Sequence, residues 1–274
     1  MLWPRLARRV GVARSSDRRH PLAGLVHRAI VEPHVVRLEI DNPPMNAMSR
    51  QMLRLMSEAL GELQADDDIR AIVLTGRGRA FCSGADLKEA AQEHSRGEDL
   101  AGFARMLEQV ASSRAPVVAA INGHCVGGGF ELALCCDIRI ASTEAKFVCA
   151  GVNVGLMAST YRLPRLIGVS RAKAMLLTGL PHDARTAEAW GLVTAIHPPE
   201  QLEAAALAVA ARIASRAPLS VEASKRVADR AMDMSPEAAN EMLAREMPRL
   251  RASEDHLEAV AAFAQKREPI FHRR

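Results

Sequence analysis

The residues best suited to chemistry stand close together: three successive glycines, Gly127, Gly128 and Gly129, and then Glu131. Three neighbours without a Cβ leave backbone N–H groups open to a ligand that other side chains would shield. The run Phe130 to Cys136 reads as a helix. The first N–H groups of a helix lack intrahelical partners and lie at the positive end of its dipole, which suits an anion or an oxygen that gains negative charge during reaction. At about 1.5 Å of rise per residue, Glu131 falls within one turn of that end, near enough to exchange a proton with whatever is held there. Taken alone, the glycines also allow a plain packing role, in which they let the helix approach a strand and Glu131 is solvated.

A second corner shifts that balance. Gly78 to Lys88, reading GRAFCSGADLK, again follows an apolar strand, Ile69 to Thr75, and again leads into a helix. Two such corners supply what a two-donor oxyanion site needs. The elements behind them are short and apolar. Val117 to Ile121 reads as a buried strand ended by the turn Asn122-Gly123, and Val35 to Ile40 alternates as a half-buried strand. Ser49 reads as an N-cap before a helix whose stripe is Met52, Met56, Leu60 and Leu63. Repeated strand-then-helix units predict an α/β fold.

These stretches together resemble the crotonase, or enoyl-CoA hydratase/isomerase, superfamily. The matching pieces are Ala80 to Lys88, Ala119 to Asp137, Leu177-Thr178-Gly179 through Ala187 and Gly191-Leu192-Val193, and the tail Ala262 to Arg267, so the resemblance covers roughly residues 26 to 271. It implies a core of ββα turns wound into a spiral, with a C-terminal helical region that builds trimers pairing into hexamers. It implies an acyl-CoA thioester as substrate, with no permanently bound cofactor and with coenzyme A arriving as part of the substrate. The N–H groups of Ala85 and Gly128 become the oxyanion donors, and they are 43 residues apart, so only the fold can join them. Glu131 becomes the catalytic carboxylate. Ala47, Gly84, Asp86, Leu87 and Gly127 become substrate-binding positions, and Phe263 and Lys266 reach the CoA of a neighbouring subunit.

The chain departs from the family at one place. Hydration draws on two carboxylates that flank a water, one to take its proton and one to orient it or supply a proton to carbon. Glu131 matches the first. Gly151, within Phe147 to Gly155, occupies the place of the second, and a Pro-Gly-x-Gly-Gly turn is replaced by the shorter Leu156 to Tyr161. Loss of one acid–base group typically costs about 10²–10⁴-fold. A hydratase using Glu131 alone, another CoA-ester reaction (isomerase, decarboxylase or thioester hydrolase) on the same oxyanion site, and a non-catalytic acyl-CoA binder all remain. Retention of Glu131 beside the glycines favours an enzyme, because a binder has no chemical use for it. Asn153 and Tyr161 read as structural, and His124 as a loop histidine.

Composition limits the other classes. The 274 residues carry 36 Lys and Arg against 32 Asp and Glu, but six of those arginines (Arg5, Arg8, Arg9, Arg14, Arg18, Arg19) and only Asp17 fall in residues 1 to 20. Without that head, 30 basic residues face 31 acidic ones. A near-neutral body with 3% aromatic residues gives no footprint for nucleic acid. No apolar run approaches the ~20 residues that span a bilayer. Asp66-Asp67-Asp68 reads as a solvated turn rather than a metal site. Five cysteines without a CxxC pair fit a reducing cytoplasm, with a mitochondrial matrix as the alternative if the basic head is a transit peptide. The adjacent Cys135 and Cys136 read as mid-helix core residues. Ser170 and Thr186 read as further N-caps. The organisation expected is a basic extension over 1–25, the acyl-CoA-binding core over 26–204, and an oligomerising helical region over 205–274.

Overall fold

The computed structural model describes residues 20–22, 25–92 and 96–274. The basic head therefore lies almost wholly outside the described residues. Thirteen strands are described: β1 His20–Leu22, β2 Val26–Glu32, β3 Val35–Ile40, β4 Ala47–Met48, β5 Ala71–Gly76, β6 Ala80–Cys82, β7 Gly84–Ala85, β8 Val117–Ile121, β9 His124–Val126, β10 Ile138–Ser142, β11 Lys146–Val148, β12 His182–Asp183 and β13 Ala195–His197. Between them run α1 Arg50–Ala65, α2 Leu87–Gln92, α3 Arg96–Ala111, α4 Gly128–Cys135, α5 Arg162–Ile167, α6 Val169–Thr178 and α7 Ala184–Ala189. A 3₁₀ turn covers Ala150–Val154. The chain closes with α8 Pro199–Ala214, α9 Pro218–Arg230, α10 Pro236–Arg251 and α11 Glu254–Gln265.

The expected spiral is visible in the pairing. β5, β8 and β10 lie parallel in the large sheet β1-β2-β3-β5-β8-β10-β13, and the strand that follows each of them, β6, β9 and β11, joins the smaller sheet β12-β11-β9-β6. Each turn thus adds one strand to each sheet before a helical segment covers it. A third pairing, β4 with β7, registers Ala47 opposite Gly84 and Met48 opposite Ala85. The strands of this second layer are only two or three residues long, too short for hydrophobic periodicity to mark them, and they occupy stretches that read as loops in the sequence.

Two apolar cores flank the large sheet. One holds Met52, Met56, Leu60 and Leu63 of α1 with Phe81, Phe130 and Phe147, and Ser49 caps α1 by accepting from the Met52 N–H. Burying four such side chains stabilises the fold by about 1.5–3 kcal/mol each before chain entropy is counted. The other core lies between the opposite sheet face and Leu202, Ala206, Ala210 and Ala214 of α8. That helix crosses position 204 without a break. Among the described residues, no single helix is long and apolar enough to cross a bilayer.

Three local expectations are corrected. Thr186 does not cap α7; its own N–H donates to the Asp183 carboxylate, a stronger acceptor that begins the helix. Ser170 is the second residue of α6, because α5 and α6 meet at Gly168, whose φ of +81° turns the chain between them. Cys135 and Cys136 lie at the end of α4, not its middle, with Cys136 as the C-cap; both are buried. Asp66-Asp67-Asp68 forms the turn after α1, where Asp67 pairs with Arg273 at 2.8 Å.

Candidate active site

Each of the three glycines answers a different requirement. Gly127 has φ +53°, the left-handed region, and turns the chain from β9 into α4. A Cβ on Gly129 would stand 2.1 Å from the Cys82 carbonyl oxygen, so the packing role holds at this position: α4 lies directly on β6. Gly128 faces the Gly84-Ala85 end of the other corner. A Cβ on Gly84 would fall 2.5 Å from the Gly128 nitrogen, and a Cβ on Gly128 would fall 3.2 Å from Gly84 Cα. The fold therefore brings Gly84-Ala85 against Gly128, joining the two corners. The Phe103 ring of α3 lies on the same side of Gly128, its Cζ 2.7 Å from that hypothetical Cβ.

Both corners are fixed from behind. Asn46, almost completely buried and left-handed at φ +56°, donates through Nδ2 to the carbonyls of Ala80 (2.6 Å) and Arg77 (3.0 Å). Its Oδ1 accepts from the Asn42 N–H. That ties the chain just before Ala47 to the start of β6, a few residues ahead of Gly84. Asp86 Oδ1 accepts from the N–H groups of Lys88 and Glu89, so its carboxylate caps α2. At the far end of α4, the buried Arg139 donates to the carbonyl oxygens of Cys136 (2.6 Å) and Leu192 (2.9 Å). A cation among the last carbonyls of a helix complements its dipole and holds the axis in place.

Glu131 is the one charged residue of an otherwise buried apolar helix, and it is half-buried itself. Its Oε2 accepts a hydrogen bond of 2.6 Å from the Ser159 hydroxyl. Beside it lie the thiols of Cys135 and Cys149, both pushed up to about 12, chiefly by burial and further by the Glu131 charge. Thiols so placed stay protonated and act as small apolar packing around the carboxylate. Cys82 is likewise raised to about 12 by burial. The arrangement thus offers a backbone donor at a helix start, a second corner in contact with it, and one carboxylate held in low-polarity surroundings.

Gly151 sits in the 3₁₀ turn after β11, and the neighbouring Ala150 Cβ is 3.7 Å from where a Gly127 Cβ would be. This segment therefore borders the glycine corner, as the family pattern implies for the second carboxylate. A side chain there would force the following backbone to shift: a Cβ on Gly151 would meet the Leu156 carbonyl oxygen at 2.9 Å and the Ala158 nitrogen at 3.1 Å. The segment from Leu156 onward folds back over Gly151, with the Leu156 N–H donating to the Gly151 carbonyl at 2.8 Å, and it carries Ser159 to Glu131.

Ala85 and Leu87 are exposed beside the site. Phe263, 88% exposed, and Lys266 lie on and just after α11. Asn153 donates to the Gly179 carbonyl, and the exposed Tyr161 bonds Asp233 and stacks on Arg165, so both are structural. His124 is exposed on β9. Sequence reading missed Ser159 and Phe103 as site residues, and the tethering role of Asn46. For Asn46 the available signal was an Asn, tolerant of left-handed backbone, between a Pro-Pro break and a helix cap. Ser159 lay within the stretch recognised as replacing the family turn, but nothing local marked its partner.

The sequence profile described as enoyl-CoA hydratase/isomerase matches residues 31–274. Among characterised or named proteins, the chain is 38% identical over 262 residues to a protein of Mycobacterium tuberculosis named probable enoyl-CoA hydratase EchA12, spanning 87% of this chain and 90% of that one. It is 37% identical over 254 residues to the (E)-benzylidenesuccinyl-CoA hydratase of Thauera aromatica, spanning 88% and 96%. Among solved structures, an enoyl-CoA hydratase from Bacillus anthracis superposes with a TM-score of 0.89 at 32% identity, over 91% of this chain and all of that one.

Proposed function

On the premise that this chain belongs to the enoyl-CoA hydratase/isomerase family, we propose that it adds water across the conjugated double bond of an enoyl-CoA thioester, with Glu131 as the catalytic carboxylate. The N–H groups of Ala85 and Gly128 receive the thioester oxygen as it becomes an enolate oxygen. Glu131 takes a proton from water while the water oxygen bonds to the β-carbon and the π electrons move into the enolate. The same carboxyl then returns that proton to the α-carbon, so water is consumed and no other acid is needed. The observation that carries this reading is the contact between Gly84-Ala85 and Gly128 one helical turn from Glu131. Phe103 forms a wall on the acyl side of Gly128.

The CoA portion lies along the loop that holds Ala47 and along Gly84 and Leu87, and Phe263 and Lys266 complete it from a neighbouring copy. α10 has no buried residue, and Met247, Leu257 and Val260 are exposed with Phe263, an apolar surface that a trimer or hexamer would cover. A single carboxylate also suffices for a proton shift between carbons. A panel of enoyl-CoA thioesters analysed by mass distinguishes the two, since hydration adds a water and a shift adds nothing. Hydration lost in Glu131→Gln with binding of the thioester retained is the expected result. Hydration undiminished by Glu131→Gln would refute the assignment.

A further inference from the structure

We infer that Ser159, on the segment that replaces the family turn after Gly151, is a positioning residue for this reaction, acting through Glu131. The inference rests on the reading of Glu131 as the proton-transfer group. The Ser159 hydroxyl donates to Glu131 Oε2 at 2.6 Å, which leaves Oε1 to exchange the proton with water and with the α-carbon. A carboxylate with one oxygen tied cannot rotate freely, and proton transfer at a fixed atom requires that restraint. The donor is neutral, so it orients the carboxylate without adding the like charge that a second acid would bring.

Three observations separate this role from that of an ordinary buried serine. Ser159 is only 4% exposed, and it has φ +60°, a conformation that favours glycine. Glycine would adopt that backbone without strain, and what glycine lacks is the hydroxyl. The hydroxyl does not cap the helix that follows, because α5 begins after Tyr161 with no side-chain cap bond. The loop that presents Ser159 is the same one that closes over Gly151, so the crowding at Gly151 and the delivery of the hydroxyl to Glu131 are one structural event. The Glu131 carboxylate is thereby held by a fixed neutral donor.

The test compares Ser159→Gly and Ser159→Ala with wild type in two assays. One is hydration of crotonyl-CoA. The other is exchange of the α-protons of butyryl-CoA with deuterium in heavy water, in which Glu131 removes a proton to give the enolate and returns a deuteron, with no water addition. We expect kcat to fall by up to about 10²-fold in both assays, the loss that follows a misplaced reacting group, while KM stays unchanged. Ser159→Gly is expected to show the same loss although its backbone is relaxed and its melting temperature is no lower than that of Ser159→Ala. In a Glu131→Gln background, Ser159→Ala is expected to have no further effect on residual turnover. An active wild type matched by Ser159→Gly, or an equal loss from Ser159→Ala with and without the Glu131 carboxylate, overturns the positioning role alone. A wild type inactive in both assays overturns the parent reading and this one with it.

Discussion

Gly84→Ala tests whether the two corners form one site. The change adds a single methyl group, but at φ +84° and with its carbon 2.5 Å from the Gly128 nitrogen and 3.1 Å from the Val126 carbonyl oxygen. Ordinary contact begins at 3.4 Å, so Gly128 must retreat by about 0.9 Å, a displacement of the size that costs about 10²-fold when it falls on a catalytic group. All of these atoms are backbone, so no side-chain rotation relieves the clash, and α4 is pinned at its other end by Arg139. Two contributions can be separated. The left-handed backbone costs an alanine about 1–2 kcal/mol of stability. Gly78→Ala carries the same strain at φ +76° with nothing within 4 Å, so it serves as the control. Misalignment of the Gly128 donor adds about 2.7–4 kcal/mol to the barrier, or about 10²–10³ in kcat. The assay is the loss of conjugated-enoyl absorbance on hydration of crotonyl-CoA, with melting temperatures for both variants. Gly84→Ala turning over as fast as Gly78→Ala, at equal folded fraction, would refute the juxtaposition.

Gly151→Glu restores the residue type of the two-carboxylate enzymes, yet its Cβ collides with the Leu156 and Ala158 backbone; we expect a lower melting temperature and no gain in kcat, and a gain would show that the loop yields. The five thiols are buried and raised above their ordinary values, so iodoacetamide at about pH 8 should label none of them in the native protein and all of them after denaturation. Rapid labelling of native Cys149 would contradict this packing. The Arg267 guanidinium and the Ile270 N–H hold the Glu258 carboxyl down to about 2, against an ordinary 4.5. A lowered carboxylate contributes to folding above its unfolded value and loses that contribution as pH falls through the folded one. Hydrogen-exchange protection of the Ile270 amide should therefore be full above 4.5 and disappear toward about 2; protection that persists at the acid end would refute the tether.

Much of the fold was legible because its signals are local. The stripe Met52, Met56, Leu60, Leu63 and the cap Ser49 fixed α1, and Val117 to Ile121 announced a buried strand. Consecutive glycines before Glu131, together with a second glycine-rich corner, suggested an oxyanion site from residue type, and the structure places Gly84 against Gly128. The vacancy at Gly151 was equally plain, since glycine has nothing to titrate. The short second-layer strands were not legible: two or three residues form a strand only when a neighbour accepts their hydrogen bonds, and those neighbours are tens of residues away. The contact between Gly84 and Gly128 belongs to the same class. So does the pairing of Ser159 with Glu131, 28 residues apart. A serine reads as a loop residue until the chain closes over Gly151 and brings its hydroxyl to the Glu131 carboxylate. Residue types determined which chemistry was available, and long-range packing decided which atoms meet to perform it.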